Sequence, residues 1–369
     1  MIAAIRKYND KRGRCVAFSY FFKLVWVASH FSESTSVSLP KESVRNAEIS
    51  RQSLSPTKYG VLLIVAATFL WSLSGFLTQL PQLGIWEKDS RGTAIAFWRA
   101  LFALVLLIPL CRRVSWHFAM IPMMVSFATM TISFLTAMVV GSPANTIWLQ
   151  YLAPAWVMLG AILIYGDRPT SRDWLMLSFC TAGVLFILLM ETISSEARPN
   201  HRWYASVLAI LSGITYAGVI LSMRALPKED PAWLITLNHG ATALVVGPIV
   251  LLGGMALPSG GAWWVLVCLG IFQMGLPYFL FAHGLKTTPS HIAALISLLE
   301  PVLLPIWVHI VRRNDPEYLA PGWWTWVGAG LILVGLLSRY ASLPKIFKAN
   351  SSKEDSKDKE PIDSNEVSS

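Results

Sequence analysis

The chain has 369 residues, of which 54% are hydrophobic and only 14% charged. Its net charge of +9 is no nucleic-acid signature, because residues 1–58 supply +6 of it, with ten Lys/Arg against four Asp/Glu. A water-soluble fold cannot hide so much apolar surface, so composition excludes a soluble enzyme and points to an integral membrane protein, in which roughly 20 consecutive apolar residues make one crossing.

Residues 1–58 read as an N-terminal extension, partly disordered. Arg6 to Arg14 followed by the apolar run Cys15–Ala28 imitates the charged and hydrophobic regions of a signal peptide. Lys23 interrupts that run, and the expectation is a flexible or interfacial segment, with the Ser-rich stretch 30–58 as linker. Ten apolar windows follow, at about 59–79, 93–110, 118–140, 143–165, 173–190, 204–223, 232–252, 262–284, 290–311 and 323–340. Short polar or Gly/Pro connections separate them, none long enough to hold a catalytic domain. Residues 341–369 are a Lys/Glu/Asp/Ser tail with almost nothing to bury, expected to be disordered and cytoplasmic. Cys15, Cys111, Cys180 and Cys268 show no metal-ligand spacing, and no disulfide, metal or other cofactor is expected.

The windows repeat. A shift of 147 residues puts Pro154 on Pro301, Ala182 on Ala329, Gly183 on Gly330 and Leu189 on Leu336. The expected fold is therefore all-α and integral to the membrane, two repeats of five helices at 59–190 and 204–340. An odd number of crossings per repeat makes the second copy enter from the opposite side, so the repeats are inverted, as in secondary transporters. Basic residues between helices divide seven against six, but both flanks are basic (Arg51 and Lys58 before, Arg339, Lys345 and Lys348 after), which places both termini in the cytoplasm.

Phe97-Trp98-Arg99, Leu149-Gln150-Tyr151-Leu152-Ala153-Pro154, Leu298-Leu299-Glu300-Pro301-Val302 and the Gly183 and Gly330 positions resemble the EamA-type carriers of the drug/metabolite transporter superfamily. The resemblance runs over about 59–340. It implies ten helices, cytoplasmic termini, a central cavity lined by both halves, and export or exchange of small metabolites, often amino acids or drug-like compounds. The family's Gly-Glu pair after the fourth and ninth helices is replaced here by Gly166-Asp167 and Arg313-Asn314.

Ionisable groups inside spans are costly and so are functional candidates. Glu300 lies mid-span before Pro301, where proline frees carbonyls of the preceding turn. It is a candidate for proton coupling, for a substrate amine, or for a structural ion pair. Arg99 is a candidate anion anchor or a partner of Glu300, and near the start of its helix it can also snorkel to the interface. Pro154 and Pro301 are the expected helix breaks. Trp148, Gln150 and Tyr151 beside the first break, with Tyr216, Asn238, His239, Gln273 and Tyr278, are the candidate substrate-binding groups, since aromatic walls with a few polar groups make small-molecule pockets. For His239 an ordinary buried, hydrogen-bonded role competes with that reading, and for Trp148 an interfacial or packing role. Gly75, Gly160, Gly183, Gly213, Gly275 and Gly330 are expected to allow close helix contact.

No phosphate-cradling Gly-Lys motif is present, so energy would come from a gradient. The reading is a secondary-active carrier of the cell inner (plasma) membrane, exporting or exchanging a small metabolite by alternating access, with amino acids as the first cargo. A drug-like cation or a sugar derivative is the alternative cargo. A non-transporting membrane scaffold or sensor and a membrane enzyme acting on lipid or isoprenoid are the rivals. Partners are a small-molecule substrate and the lipid bilayer, not nucleic acid, and monomer and homodimer remain open.

Overall fold

A computed structural model describes residues 56–195, 203–315, 318 and 320–340. The signal-like run, nearly all of the 1–58 extension and the 341–369 tail lie outside the described residues.

Helices account for the architecture, and among the described residues there is no strand. The first crossing is α1 (Pro56–Ser72) continued by the single turn α2 (Ser74–Leu77). Then come α3 (Lys88–Leu107), α4 (Met120–Val140), α5 (Pro143–Gln150), α6 (Ala153–Tyr165), α7 (Ser171–Ser195), α8 (Tyr204–Arg224) and α9 (Pro231–Leu252). The next crossing runs α10 (Gly261–Val267), a π-helical stretch (Cys268–Gly275) and α11 (Leu276–Gly284). The last are α12 (Ser290–Ser297), α13 (Leu299–Arg312) and α14 (Trp323–Tyr340). Among the described residues, nine helical stretches are long and apolar enough to cross a bilayer. α14, with 18 residues, has three tryptophans in its first four residues and Arg339 in its last turn, and its apolar centre is correspondingly short.

Local chemistry sets the ends. Asp230 caps α9 by accepting from Ala232 N at 3.0 Å, with Pro231 in the first turn where its missing N–H costs nothing. α6 stops at Gly166, whose φ of 67° suits glycine at the end of a helix. Leu163 and Leu252, both 84% exposed, and Leu244, Val125 and Ile310 face outward. In water such a belt would drive aggregation, whereas in lipid it is the solvated face. Inward, Ile95, Leu135, Met138, Ile147, Leu149, Ile187, Leu266 and Leu269 are fully buried in one core.

Polar contacts at the helix ends sort into two sets. On one face, Arg224 pairs with Asp167 at 2.7 Å, Arg339 with Asp173 at 2.5 Å, and Asp230 accepts from Arg112 N at 2.9 Å. On the opposite face Tyr204 donates to Asp89 at 2.7 Å, and Asn145 joins Glu191 and Thr325 at 2.9 and 2.7 Å. Consecutive crossings thus run in alternating directions, and α14 has Thr325 tied to one face and Arg339 to the other. The packing partners are paired as well: α4 lies on α8 as α11 lies on α1, while α3 packs on α9 and α7 on α14.

Close contact between α7 and α14 forms at Gly183 and Gly328, where a Cβ on either would fall 2.6 or 2.8 Å from the other's carbonyl oxygen. Gly330, expected to be the contacting residue, faces open space instead. Two positions along a helix is about 200°, so the repeat-matched glycine lies on the far side of the one that touches.

Candidate functional site

Two broken crossings meet in the middle of the bundle. In the first, Pro154 has no N–H for the carbonyl of Gln150, and the chain relaxes into a turn at Tyr151 and Leu152 between α5 and α6. In the second, Pro301 leaves the carbonyl of Ser297 without its helical donor, and the break falls between α12 and α13. Tyr151 Oη lies 3.0 Å from that Ser297 oxygen and 3.0 Å from Glu300 Oε2. The phenol of one break therefore occupies the carbonyl freed by the other. Gly213 permits this arrangement: a Cβ there would stand 3.0 Å from the Gln150 carbonyl, so α8 presses directly on the first break.

A phenol carries one proton. Both contacts are full hydrogen bonds when Glu300 is protonated and donates to the phenol oxygen while the phenol donates to Ser297. With Glu300 ionised, carboxylate and carbonyl compete for one proton. The charge state of Glu300 thus decides which partner the phenol proton serves.

Above this junction is a cavity of about 330 Å³. Trp71, Phe127, Phe134, Tyr216, Tyr278 and Phe281 supply most of its wall, and Arg99, Gln150, Asn238, Gln273 and Glu300 its polar points. Met223, Pro231 and Leu285, at the ends of α8, α9 and α11, line it toward the face that carries the 225–230 and 285–289 connections. Polar contacts tie the opposite end of the bundle: Arg312 donates to Gln79 Oε1 at 2.5 Å and pairs with Asp315, and Gln79 donates to the Met138 carbonyl.

Arg99 is 2% exposed. Its helix starts at Lys88 rather than near 93, about 16 Å before Arg99, and the guanidinium is enclosed by the bundle rather than snorkelling to an interface. Gln273 faces it from the π-helical stretch, a distortion frequent at functional sites. Gly270 makes that stretch fit, since a Cβ there would fall 2.3 Å from Phe102 Cβ and 2.9 Å from the Arg99 carbonyl.

Of the residues expected from sequence to bind substrate, Gln150, Tyr151, Tyr216, Asn238, Gln273 and Tyr278 line the cavity, as do Arg99 and Glu300. Trp148 and His239 are not among the lining residues; both are buried in packing, with the Trp148 indole nitrogen and both His239 ring nitrogens unbonded. His239 instead stacks edge-on with Phe127 at 5.0 Å. Trp71, Ser74, Thr131 and Ser297 were not anticipated. The rule that proline orphans the carbonyl four residues earlier would have found Ser297; the others carry no local signal.

At the open face, hydrogen bonding to Arg224 holds the exposed Asp167 carboxyl below the usual carboxylate range, and the same guanidinium lies 4.4 Å from the Tyr165 ring. Glu229 accepts from Ser115 and sits 3.0 Å from His117, clasping the 111–119 connection to the 225–230 connection.

Residues 58–189 and 203–339 each match the family model described as the EamA-like transporter family. An uncharacterized transporter of Archaeoglobus fulgidus is 28% identical over 213 residues, 57% of this chain and 74% of that protein. A riboflavin transporter of Rhizobium johnstonii is 24% identical over 289 residues, 74% of this chain and 88% of that one. A protein of known crystal structure aligns at TM-score 0.51 and 17% identity over 76% of this chain and 94% of its own, a likeness of fold.

Proposed function

Because the chain belongs to the EamA-like transporter family, we propose that this multi-pass membrane transporter is a secondary carrier that exports or exchanges a small metabolite by alternating access. In this reading ten helices cross the membrane as two inverted repeats, 59–190 and 204–340. The end contacts of α14 support the tenth crossing. The pairing of α4 with α8 and of α11 with α1, which exchange under the repeat, supports the pseudo-two-fold relation. Both termini lie in the cytoplasm of a cell bounded by this inner (plasma) membrane, so the cavity is open to the cytoplasm and the Arg312–Gln79 contacts tie the outer end.

The observation that carries the reading is the junction of Tyr151 with Ser297 and Glu300 at the base of that cavity. It joins the two repeats where each helix is broken, and its hydrogen bonding depends on one proton. Protonated Glu300 leaves the phenol proton to the Ser297 carbonyl, and ionised Glu300 draws that proton to its carboxylate, so the two charge states join the breaks differently. Energy from a proton gradient can thereby bias which side the cavity faces. The protein acts as a carrier, not an enzyme. Amino acids are the first cargo considered, and the riboflavin transporter among its relatives adds ring-bearing metabolites. Drug-like cations and sugar derivatives are the alternative.

Counterflow in proteoliposomes of the purified full chain tests this, with amino acids, amines, sugars and a flavin inside and a pH gradient imposed on half the samples. Saturable exchange that responds to the gradient in the wild type but not in Glu300→Gln is expected. Silence across the panel from folded protein would overturn the carrier reading.

A further inference from the structure

Arg99 is a buried charge without a counter-charge. Guanidinium stays protonated in proteins, and an ion deep in a bundle normally pairs or finds several strong hydrogen bonds. Arg99 has neither. Among the described residues its one hydrogen bond goes to Gln273 Oε1 at 3.4 Å, and its Nε has no partner. Among the described residues no carboxylate lies within ion-pair distance of it. Glu300, which shares the cavity, is engaged by Tyr151 instead.

The missing interactions gather on the cavity wall. Asn238 Oδ1, Ser74 Oγ and Thr131 Oγ1 are also buried and unbonded, and all three residues line the same space as Arg99. Buried polar atoms are ordinarily satisfied, and the Ser74 and Thr131 hydroxyls on the wall that carries the guanidinium are donors an anionic ligand can complement, whereas Asn238 Oδ1 is an acceptor that calls for a donor elsewhere on that ligand. Gln273 holds the guanidinium in place by accepting from it, while its own amide donates to the Trp71 carbonyl at 3.3 Å.

We propose, resting on the carrier reading above, that the cargo is recognised by a carboxylate that docks on Arg99. Charge counting chooses the class. Arg99 is the only cation and Glu300 the only acid among the lining residues. A singly charged carboxylate neutralises the guanidinium and matches its planar fork of donors. A dianion such as a phosphate monoester would carry an uncompensated charge into a space that already holds Glu300. The rest of the cargo lies against Trp71, Phe127, Phe134, Tyr216 and Phe281, a wall that favours a ring or another flat apolar body. An amine on the same molecule can reach toward Glu300 but is not what Arg99 reads.

The test is a matched series on the full chain in lipid nanodiscs: 3-phenylpropionate, its primary amide and 3-phenylpropylamine, with affinity followed by tryptophan fluorescence. The acid should bind about tenfold or more tighter than the amide and the amine, the scale of one charge-assisted pair. Arg99→Gln should abolish that preference, and Arg99→Lys should keep part of it. The lysine variant retains the charge and serves if the glutamine variant does not fold. Equal binding of acid and amide, preference for the amine, binding of none of the three, or a preference that survives Arg99→Gln would each overturn the proposal. The two readings fail separately. Counterflow of some other cargo without preference for the acid removes the carboxylate dock and leaves the carrier. Acid binding without exchange of any compound removes the carrier and leaves the dock.

Discussion

Tyr151→Phe removes one oxygen atom from the junction between the two breaks. The ring and its packing stay, so the change reads the hydroxyl alone. Two contacts of 3.0 Å disappear, to the Ser297 carbonyl and to Glu300. No helical N–H replaces the first, because position 301 is proline. The carbonyl is left unsatisfied in a half-buried setting, which costs about 1–3 kcal/mol, and the bond to Glu300 adds roughly 1 kcal/mol. The full chain in detergent should therefore unfold more readily by about 2–4 kcal/mol in either charge state of Glu300, because a phenol bond to an ionised carboxylate is at least as strong as one to the acid. The phenol also links the Glu300 charge state to the joining of the breaks, so the response of flux to an imposed pH gradient should fall away in the same variant. Denaturant titration at several pH values and counterflow with and without the gradient measure the two effects. A variant with wild-type stability and an unchanged gradient response would refute the argument from the single proton.

Arg312→Gln should loosen the end of the bundle opposite the 225–230 connection, because Arg312 bridges Gln79 and Asp315 there; in a chain without other cysteines, a membrane-impermeant thiol reagent applied from that face should then modify Ser74→Cys on the cavity wall faster than when Arg312 is kept. Gly270→Ala puts a Cβ against Phe102 and the Arg99 carbonyl, and overpacking of this kind should destabilise the detergent-solubilised chain by about 1–3 kcal/mol, read by thermal unfolding. Asp167 has its carboxyl held low by Arg224, so its contribution is present above its unfolded-state value and is lost as pH falls through the lower folded one. Asp167→Asn and wild type should consequently differ near neutral pH and converge in acid, a small effect because the pair is exposed.

Much of the frame is legible in the chain because lipid imposes a simple rule: a crossing must be a long apolar helix with its backbone satisfied internally. Pro154 and Pro301 mark their breaks through chemistry that needs no neighbours, and Glu300 stands out as an acid inside an apolar run. What depends on a second helix is not legible. Arg99 looked close to an interface because counting began at the first apolar residue, while the helix begins in the polar turn Lys88-Asp89-Ser90-Arg91, where Arg91 N already bonds the Glu87 carbonyl at 2.8 Å. Trp148 shares a short helix with Gln150, yet two positions of rotation turn it into packing and Gln150 toward the cavity. The aromatic wall is assembled from Trp71, Phe127, Tyr216 and Phe281 on four separate crossings, and no spacing in the sequence links them.

In the alternating-access cycle proposed for this chain, one cavity is offered to two sides in turn. Ser297→Cys, in a chain without other cysteines, puts a thiol on the cavity wall while leaving the Ser297 carbonyl in place. Labelling by an impermeant thiol reagent added to one side or the other of sealed proteoliposomes reads the exposure directly. Modification is expected chiefly from the face of the 225–230 and 285–289 connections at rest, with modification from the opposite face appearing during exchange of cargo. Labelling from one face only under every condition, or from both faces equally at rest, would contradict it.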